Sequence, residues 1–154
     1  MEKLDVKLTQ EEIKWLLVTL RKIDFFSKAS FENIDKIISS FSKYKYAKGE
    51  VILKEKKPGV ALYVIRSGSC LVYKKKWLFG KKEIAILKSG DFFGEMSLIL
   101  DELTSATVKS LEPAEIYVYL KSDFLSYLSQ NQQLKDEITA IAQRRKYENE
   151  FLKH

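Results

Sequence analysis

The chain has 154 residues, 45% hydrophobic and 31% charged, which fits one globular domain and excludes a disordered polymer. No run approaches the roughly eighteen apolar residues of a membrane span, and the opening MEKLDVKLTQ lacks the apolar core of a signal peptide. The formal charge of +6 permits an acidic partner without requiring one, and a single cysteine, Cys70, excludes an internal disulfide, so a cytoplasmic setting is expected.

Helical periodicity comes first. Ile13, Leu16, Leu17 and Leu20 fall on one face of a predicted helix opened by Thr9, and Glu12 completes a capping box. A shorter helix is predicted after Ser30 as N-cap, with Phe31, Ile34, Ile37, Ile38 and Phe41 as its apolar face. From Tyr44 to Leu120 the period becomes two. Short apolar runs at 51–53, 62–65, 70–73, 84–87, 107–108 and 116–119 read as strands. Lys48-Gly49, Pro58-Gly59, Ser67-Gly68, Gly80 and Ser89-Gly90-Asp91 punctuate them as turns. Such spacing predicts a β-roll or jelly roll rather than βαβ units. Helical patterning returns at Ser122, first with Phe124, Leu125 and Leu128, then with Leu134, Ile138, Ile141 and Ala142 facing inward. From Arg144 to His154 the chain turns strongly polar. The expected fold is mainly β with flanking helices in one domain: N-terminal helices over 1–43, a β-roll (double-stranded β-helix) over 44–120, and C-terminal helices over 121–154.

The chain is poor in catalytic groups. Its one histidine, His154, is the last residue, and Cys70 falls inside a predicted strand. Zinc or iron sites built on His/Cys clusters are thereby excluded, as are Ser-His-Asp and Cys-His arrangements. Asp101-Glu102 and Glu112 with Glu115 sit in predicted turns and read as solvated loop acids. We expect no enzyme, no catalytic residue, no metal and no cofactor. No helix-turn-helix follows the strands, so no direct DNA-binding domain is expected either.

Four short motifs in order carry a family resemblance. They are Leu20-Arg21-Lys22-Ile23-Asp24-Phe25-Phe26, Lys48-Gly49-Glu50-Val51-Ile52, Leu62 to Gly68, and Gly90-Asp91-Phe92-Phe93-Gly94-Glu95. Together, over about Leu20 to Arg145, the chain resembles the cyclic nucleotide-binding domain family of catabolite-activator-type sensors, protein kinase A regulatory subunits and some ion channels. The fourth motif matches the start of the family's phosphate-binding cassette. The resemblance implies a site at Gly94, Glu95, Met96, Ser97, Thr104, Ser105 and Ala106, with cAMP or cGMP as ligand. In such a cassette the amides of a short helix, here begun by Met96 and Ser97, face the cyclic phosphate. Gly94 would allow close backbone approach or, on the preferred reading, serve only the turn's geometry, as would Gly90; Glu95 would accept a hydrogen bond from the ribose 2′-hydroxyl or, equally, hold the turn.

One position departs from the family pattern. Thr104 stands where the family carries an arginine that pairs with the phosphate, while Ser105 and Ala106 match. Losing such a contact costs on the order of 2–5 kcal/mol, and a threonine hydroxyl recovers about 1 kcal/mol by donating one neutral hydrogen bond. Weak cyclic nucleotide affinity is therefore expected. The only other arginines are Arg21, Arg66, Arg144 and Arg145; Lys88 and Lys109 flank the cassette, and Lys109 should point away if Ala106 and Val108 share the inward face.

Lys74-Lys75-Lys76-Trp77-Leu78-Phe79-Gly80-Lys81-Lys82 reads as a hairpin tip. Contact with an anionic membrane surface or a protein partner is one reading. The preferred one folds Trp77 and Phe79 back over the roll's flank. In the tail, Tyr147, Phe151 and Leu152 are placed to cap a ligand, join a dimer or fray. The whole is read as a stand-alone regulatory module that signals through its flanking helices to a protein effector or a self-dimer. The alternatives are a protein-interaction domain with no cyclic nucleotide, and a sensor of a less anionic ligand.

Overall fold

The computed structural model describes the backbone of residues 1–152 and the side chains of residues 1–148, so His154 and the side chains of Phe151 and Leu152 lie outside the described residues. Among these, helix α1 (Gln10–Leu20) carries the expected capping box: Thr9 Oγ1 accepts from the Glu12 N–H at 3.1 Å, and the Glu12 carboxylate reaches back to the Thr9 N–H. Helix α2 (Phe31–Ser39) is capped by Ser30 as predicted. Phe31 is a correction: on the same stripe but one turn ahead of Ile34, at the first helical position, it is 75% exposed, and the Arg21 guanidinium lies over its ring at 5.5 Å.

Nine strands form two antiparallel sheets in the described residues. They are β1 (Glu2–Leu4), β2 (Ser42–Tyr46), β3 (Val51–Leu53), β4 (Ala61–Ser67), β5 (Cys70–Lys75), β6 (Lys81–Leu87), β7 (Phe92–Phe93), β8 (Thr107–Ser110) and β9 (Ala114–Leu120). One sheet runs β1-β2-β9-β4-β7 and the other β3-β8-β5-β6. Strand β1 belongs to the segment expected to be purely helical. Its Glu-Lys-Leu sequence carries no strand signal, and pairing with β2, Lys3 opposite Tyr44, supplies what propensity does not.

Strands β4 and β9 lie at the centre of the first sheet and are covered on both faces. Ala61, Tyr63, Ile65, Ile116 and Val118 face the interior of the roll with Cys70, Phe93 and Val108. Leu62, Val64, Tyr117 and Tyr119 face the helical layer with Leu16, Leu20, Phe26, Ile37, Phe124 and Leu134. Double coverage is why both strands read as unbroken apolar runs. The tyrosines bring hydroxyls that need partners, and the Tyr117 O–H donates to Glu12 Oε2 at 2.5 Å. Glu12 thus joins α1 to β9 as well as closing its own helix.

Behind α3 (Met96–Ile99), helices α4 (Lys121–Ser129) and α5 (Gln132–Leu152) complete the helical layer. Phe124, Leu128, Leu134 and Ile138 are buried there, whereas Leu125 is half exposed. The β5–β6 hairpin departs from the preferred reading. Trp77 is 93% exposed and Phe79 86%, so neither ring folds back on the roll. Strand β6 is an edge strand whose own residues are almost all exposed, so no further strand backs the hairpin on that side.

Candidate ligand cleft

Between Phe93 and Thr107 the chain leaves β7, makes the single turn α3 and returns along an irregular stretch to β8. Gly94 begins this excursion at φ +78°, a left-handed backbone that side chains disfavour. A Cβ there would lie 2.6 Å from the Ala61 carbonyl and 3.2 Å from the Tyr63 ring. Close approach to β4 therefore demands this glycine, independently of any ligand. Gly59 plays a matching part, because a Cβ there would lie 1.8 Å from Ser97 Oγ. The Pro58-Gly59 turn thus seats directly against α3.

The excursion walls a cleft of about 550 Å³. All seven residues expected at the site, Gly94, Glu95, Met96, Ser97, Thr104, Ser105 and Ala106, line it together. The cleft also takes Leu53 from β3, Val72 from β5, Leu87 at the end of β6 and Val108 from β8, with Leu100, Glu102 and Leu103 from the returning stretch. None of these was expected at the site: Glu102 was read as a solvated loop acid, and the apolar residues only as strand or loop positions. Their signal was the inward alternation of the strands, which marks a face without saying which part of it encloses a cavity.

Two of the expected roles change. Only part of the expected amide cradle is open, because α3 is four residues long, with the Ser97 N–H donating to the Gly94 carbonyl and the Leu98 N–H to the Glu95 carbonyl, each at 3.1 Å. The Ser105 and Ala106 amides make no turn or loop hydrogen bond to other backbone groups in the described residues.

Thr104 is the second. Its side chain is buried, and Oγ1 accepts from the Lys57 N–H at 3.1 Å while donating to the Lys54 carbonyl. Its backbone N–H donates to the Lys57 carbonyl and its carbonyl accepts from the Lys56 N–H, both at 2.8 Å. Four hydrogen bonds thus staple the β3–β4 loop to the cassette. A hydroxyl has one proton to donate, and this one is committed, so Thr104 does not supply the phosphate donor expected of it.

Electrostatically the cleft is unusual for an anion site. Among the described residues it is lined by two carboxylates, Glu95 and Glu102, and by no lysine or arginine. Burial pushes the Glu95 carboxyl above its usual range. Glu95 and Met96 also border a small cavity of about 110 Å³ on the far side of the cassette, shared with Lys22, Asp24 and Arg145. There Arg145 of α5 pairs with Asp24 in the 3-10 turn Asp24–Phe26.

The Cyclic nucleotide-binding domain profile matches residues 43–131. The chain belongs to that family. It is 33% identical over 124 residues to the cGMP-dependent 3′,5′-cGMP phosphodiesterase A of Dictyostelium discoideum, covering 80% of this chain and 14% of the relative. It is 35% identical over 105 residues to the cAMP-dependent protein kinase regulatory subunit of Debaryomyces hansenii, covering 68% of this chain and 22% of the relative. Among solved structures, cAMP-bound PfPKA-R superposes with a TM-score of 0.73 at 26% identity, over 79% of this chain and 43% of that one. The chain therefore spans less than a quarter of the two curated relatives.

As a cyclic nucleotide-binding domain the chain is marked by where its arginines went. Arg21 donates from one guanidinium nitrogen to the carbonyls of Phe26 (3.1 Å), Ser27 (3.4 Å) and Ala29 (2.5 Å). Arg66 lies 4.6 Å over the Trp15 ring, and Arg145 holds Asp24. Arg144 is exposed on α5. None lines the cleft, and neither flanking lysine does. Lys109 sits on the outer face over the Tyr73 ring at 5.8 Å, opposite to inward-facing Val108, as the strand alternation required.

Proposed function

We propose that this domain is a regulatory ligand-binding module of the cyclic nucleotide type, with weak affinity for cAMP and cGMP. Family membership and the cleft's volume, within the common range for small-molecule sites, support the binding role. The observation that carries the weak affinity is the cleft's lining among the described residues: two carboxylates, no cation, and a Thr104 hydroxyl already committed to the β3–β4 loop. Glu95 keeps the position from which a carboxylate accepts a ribose hydroxyl, and the Ser105 and Ala106 amides remain the available donors toward a phosphate.

The signalling route proposed runs through the cassette. Glu95 and Met96 face the cleft on one side and the small Asp24–Arg145 cavity on the other. A ligand that prefers one position of α3 would bias how α5 seats on the 3-10 turn, and an effector protein or a second copy would read α5. Such a shift needs a ligand with different affinities for the two positions.

A second reading has one observation in its favour. A cleft with acidic lining suits a neutral or less anionic ligand better than a cyclic phosphate. Thermal unfolding with about 1 mM cAMP, cGMP or the matching uncharged nucleoside separates the two. A Kd of about 10 μM would stabilise the fold by about 2.7 kcal/mol, a rise of roughly 5–10 °C. Weak cyclic nucleotide binding predicts a small but reproducible rise that Glu95→Ala removes. A larger rise with the nucleoside would overturn it in favour of the less anionic ligand, and no response to any of the three would sink the nucleotide-type reading.

A further inference from the structure

From Lys74 to Lys82 the β5–β6 hairpin holds five lysines, three large apolar residues, one glycine and no carboxylate. The Lys76 N–H closes the loop on the Gly80 carbonyl at 3.1 Å, and Gly80 adopts φ +77°. Trp77, Leu78 and Phe79 then occupy the extreme tip, Leu78 at 68% exposure and the two rings more exposed still. Behind them, Lys75 stands opposite Lys81 and Lys74 opposite Lys82. Directly opposed like charges destabilise an antiparallel pair. None of these lysine side chains forms an ion pair among the described residues, and the one carboxylate seated on the collar, Glu55, accepts from the Lys75 backbone N–H at 2.8 Å. Lys81 and Lys109 crowd the same Tyr73 ring at 4.8 and 5.8 Å, and a hydrogen bond from Lys81, with its charge, holds Lys109 below the usual lysine range.

In water the tip is unfavourable twice over, through exposed apolar surface and through five lysines that one nearby carboxylate, Glu55, only partly offsets. One environment relieves both. An anionic lipid surface takes aromatic and aliphatic side chains at the headgroup–acyl boundary and supplies negative charge to a lysine collar just outside it. A protein partner fits less well, since a stable interface takes about 800 Å² from each side, more than a three-residue tip provides. A nucleic acid would neutralise the lysines and leave Leu78 without a gain.

We propose that the Lys74–Lys82 hairpin docks this protein on anionic lipid surfaces, with Trp77, Leu78 and Phe79 inserted and the lysines against the lipid headgroups. The inference stands on residues separate from the ligand cleft. The test is co-sedimentation of the full chain with phosphatidylcholine vesicles containing about 30% phosphatidylserine, against phosphatidylcholine alone. Binding is expected to the first and not the second, with a blue shift of tryptophan emission. Trp77→Phe should keep binding and lose the shift, which assigns the signal to the tip rather than to Trp15. The double change Trp77→Ala with Phe79→Ala should weaken binding at least about tenfold. Each lysine near the surface is worth about fivefold, so glutamine at Lys74, Lys75, Lys81 and Lys82 should weaken it about a hundredfold or more. Unfolding temperatures of these variants check that they are folded, as expected for exposed positions. The proposal is overturned if the anionic vesicles bring down no protein, or if the double alanine change leaves binding intact. It is equally overturned if duplex DNA is bound more tightly than the vesicles without an emission shift, which would make the tip a polyanion surface.

Discussion

Replacing Thr104 with valine keeps the side chain's shape and removes its hydroxyl. The Lys57 N–H then loses its acceptor at 3.1 Å and the Lys54 carbonyl loses its donor, while the two backbone bonds of Thr104 remain. Leaving a buried polar group without a partner costs about 1–3 kcal/mol. The loop is only partly buried and water reaches some of it, so about 1–2 kcal/mol is expected, a fall of roughly 2–8 °C in unfolding temperature. Differential scanning calorimetry measures the fall, and hydrogen exchange at the Lys57 amide should rise with it. Any response to cAMP should be unchanged, because the hydroxyl proton is committed to Lys54 before a ligand arrives. An unaltered unfolding temperature together with a lost cAMP response would refute the reasoning, since it would show a hydroxyl that serves the ligand rather than the loop.

Four further outcomes follow from the same geometry. Thr104→Arg should tighten cAMP binding at least about tenfold by restoring a charge-assisted phosphate contact, at a stability loss similar to that of the valine change, read by calorimetric titration and melting. Gly94→Ala should destabilise by about 2–4 kcal/mol through its left-handed backbone and the 2.6 Å approach to Ala61, seen as a lower urea midpoint; an unchanged midpoint would mean that β4 yields easily. Burial raises the Glu95 carboxyl, so the folded state holds that proton more tightly than the unfolded one, and stability is lost as pH rises past the ordinary carboxylate value. Glu95→Gln should accordingly match the parent near pH 4 and out-melt it increasingly toward about pH 7; parallel curves would mean a solvated carboxylate. Arg145→Ala breaks a pair whose side chains are 37% and 52% exposed, so it should cost under about 1 kcal/mol in a melt yet speed amide exchange in α5, and unchanged exchange would argue that the Arg145–Asp24 pair does not hold α5 to the 3-10 turn.

The helix starts were legible because they are local. Thr9 with Glu12, and Ser30, satisfy amides a few residues away, so the signal and the structure lie in the same short stretch. The strands β3, β4, β5, β6, β8 and β9 were legible for a similar reason, as apolar runs between glycine turns. Strands β1 and β2 and the two-residue β7 were not, since a partner strand supplies their order. Phe31 was misread because helical spacing names a stripe but not its edge. The hairpin was misread because folding back needs a surface to fold onto, and whether one exists beside the tip depends on β6 being an edge.

By itself the sequence determined the family, the alternation of helix and roll, and the absence of arginine at position 104. These depend on residue types and spacing along one chain. Only the tertiary structure decided that the seven cassette residues share one cleft with side chains from β3, β5, β6 and β8, because closure of two sheets brings together residues far apart in sequence. It alone decided what Thr104 does in place of the arginine. A hydroxyl carries no record of its partner, and the Lys54 carbonyl that takes its proton is 50 residues away along the chain.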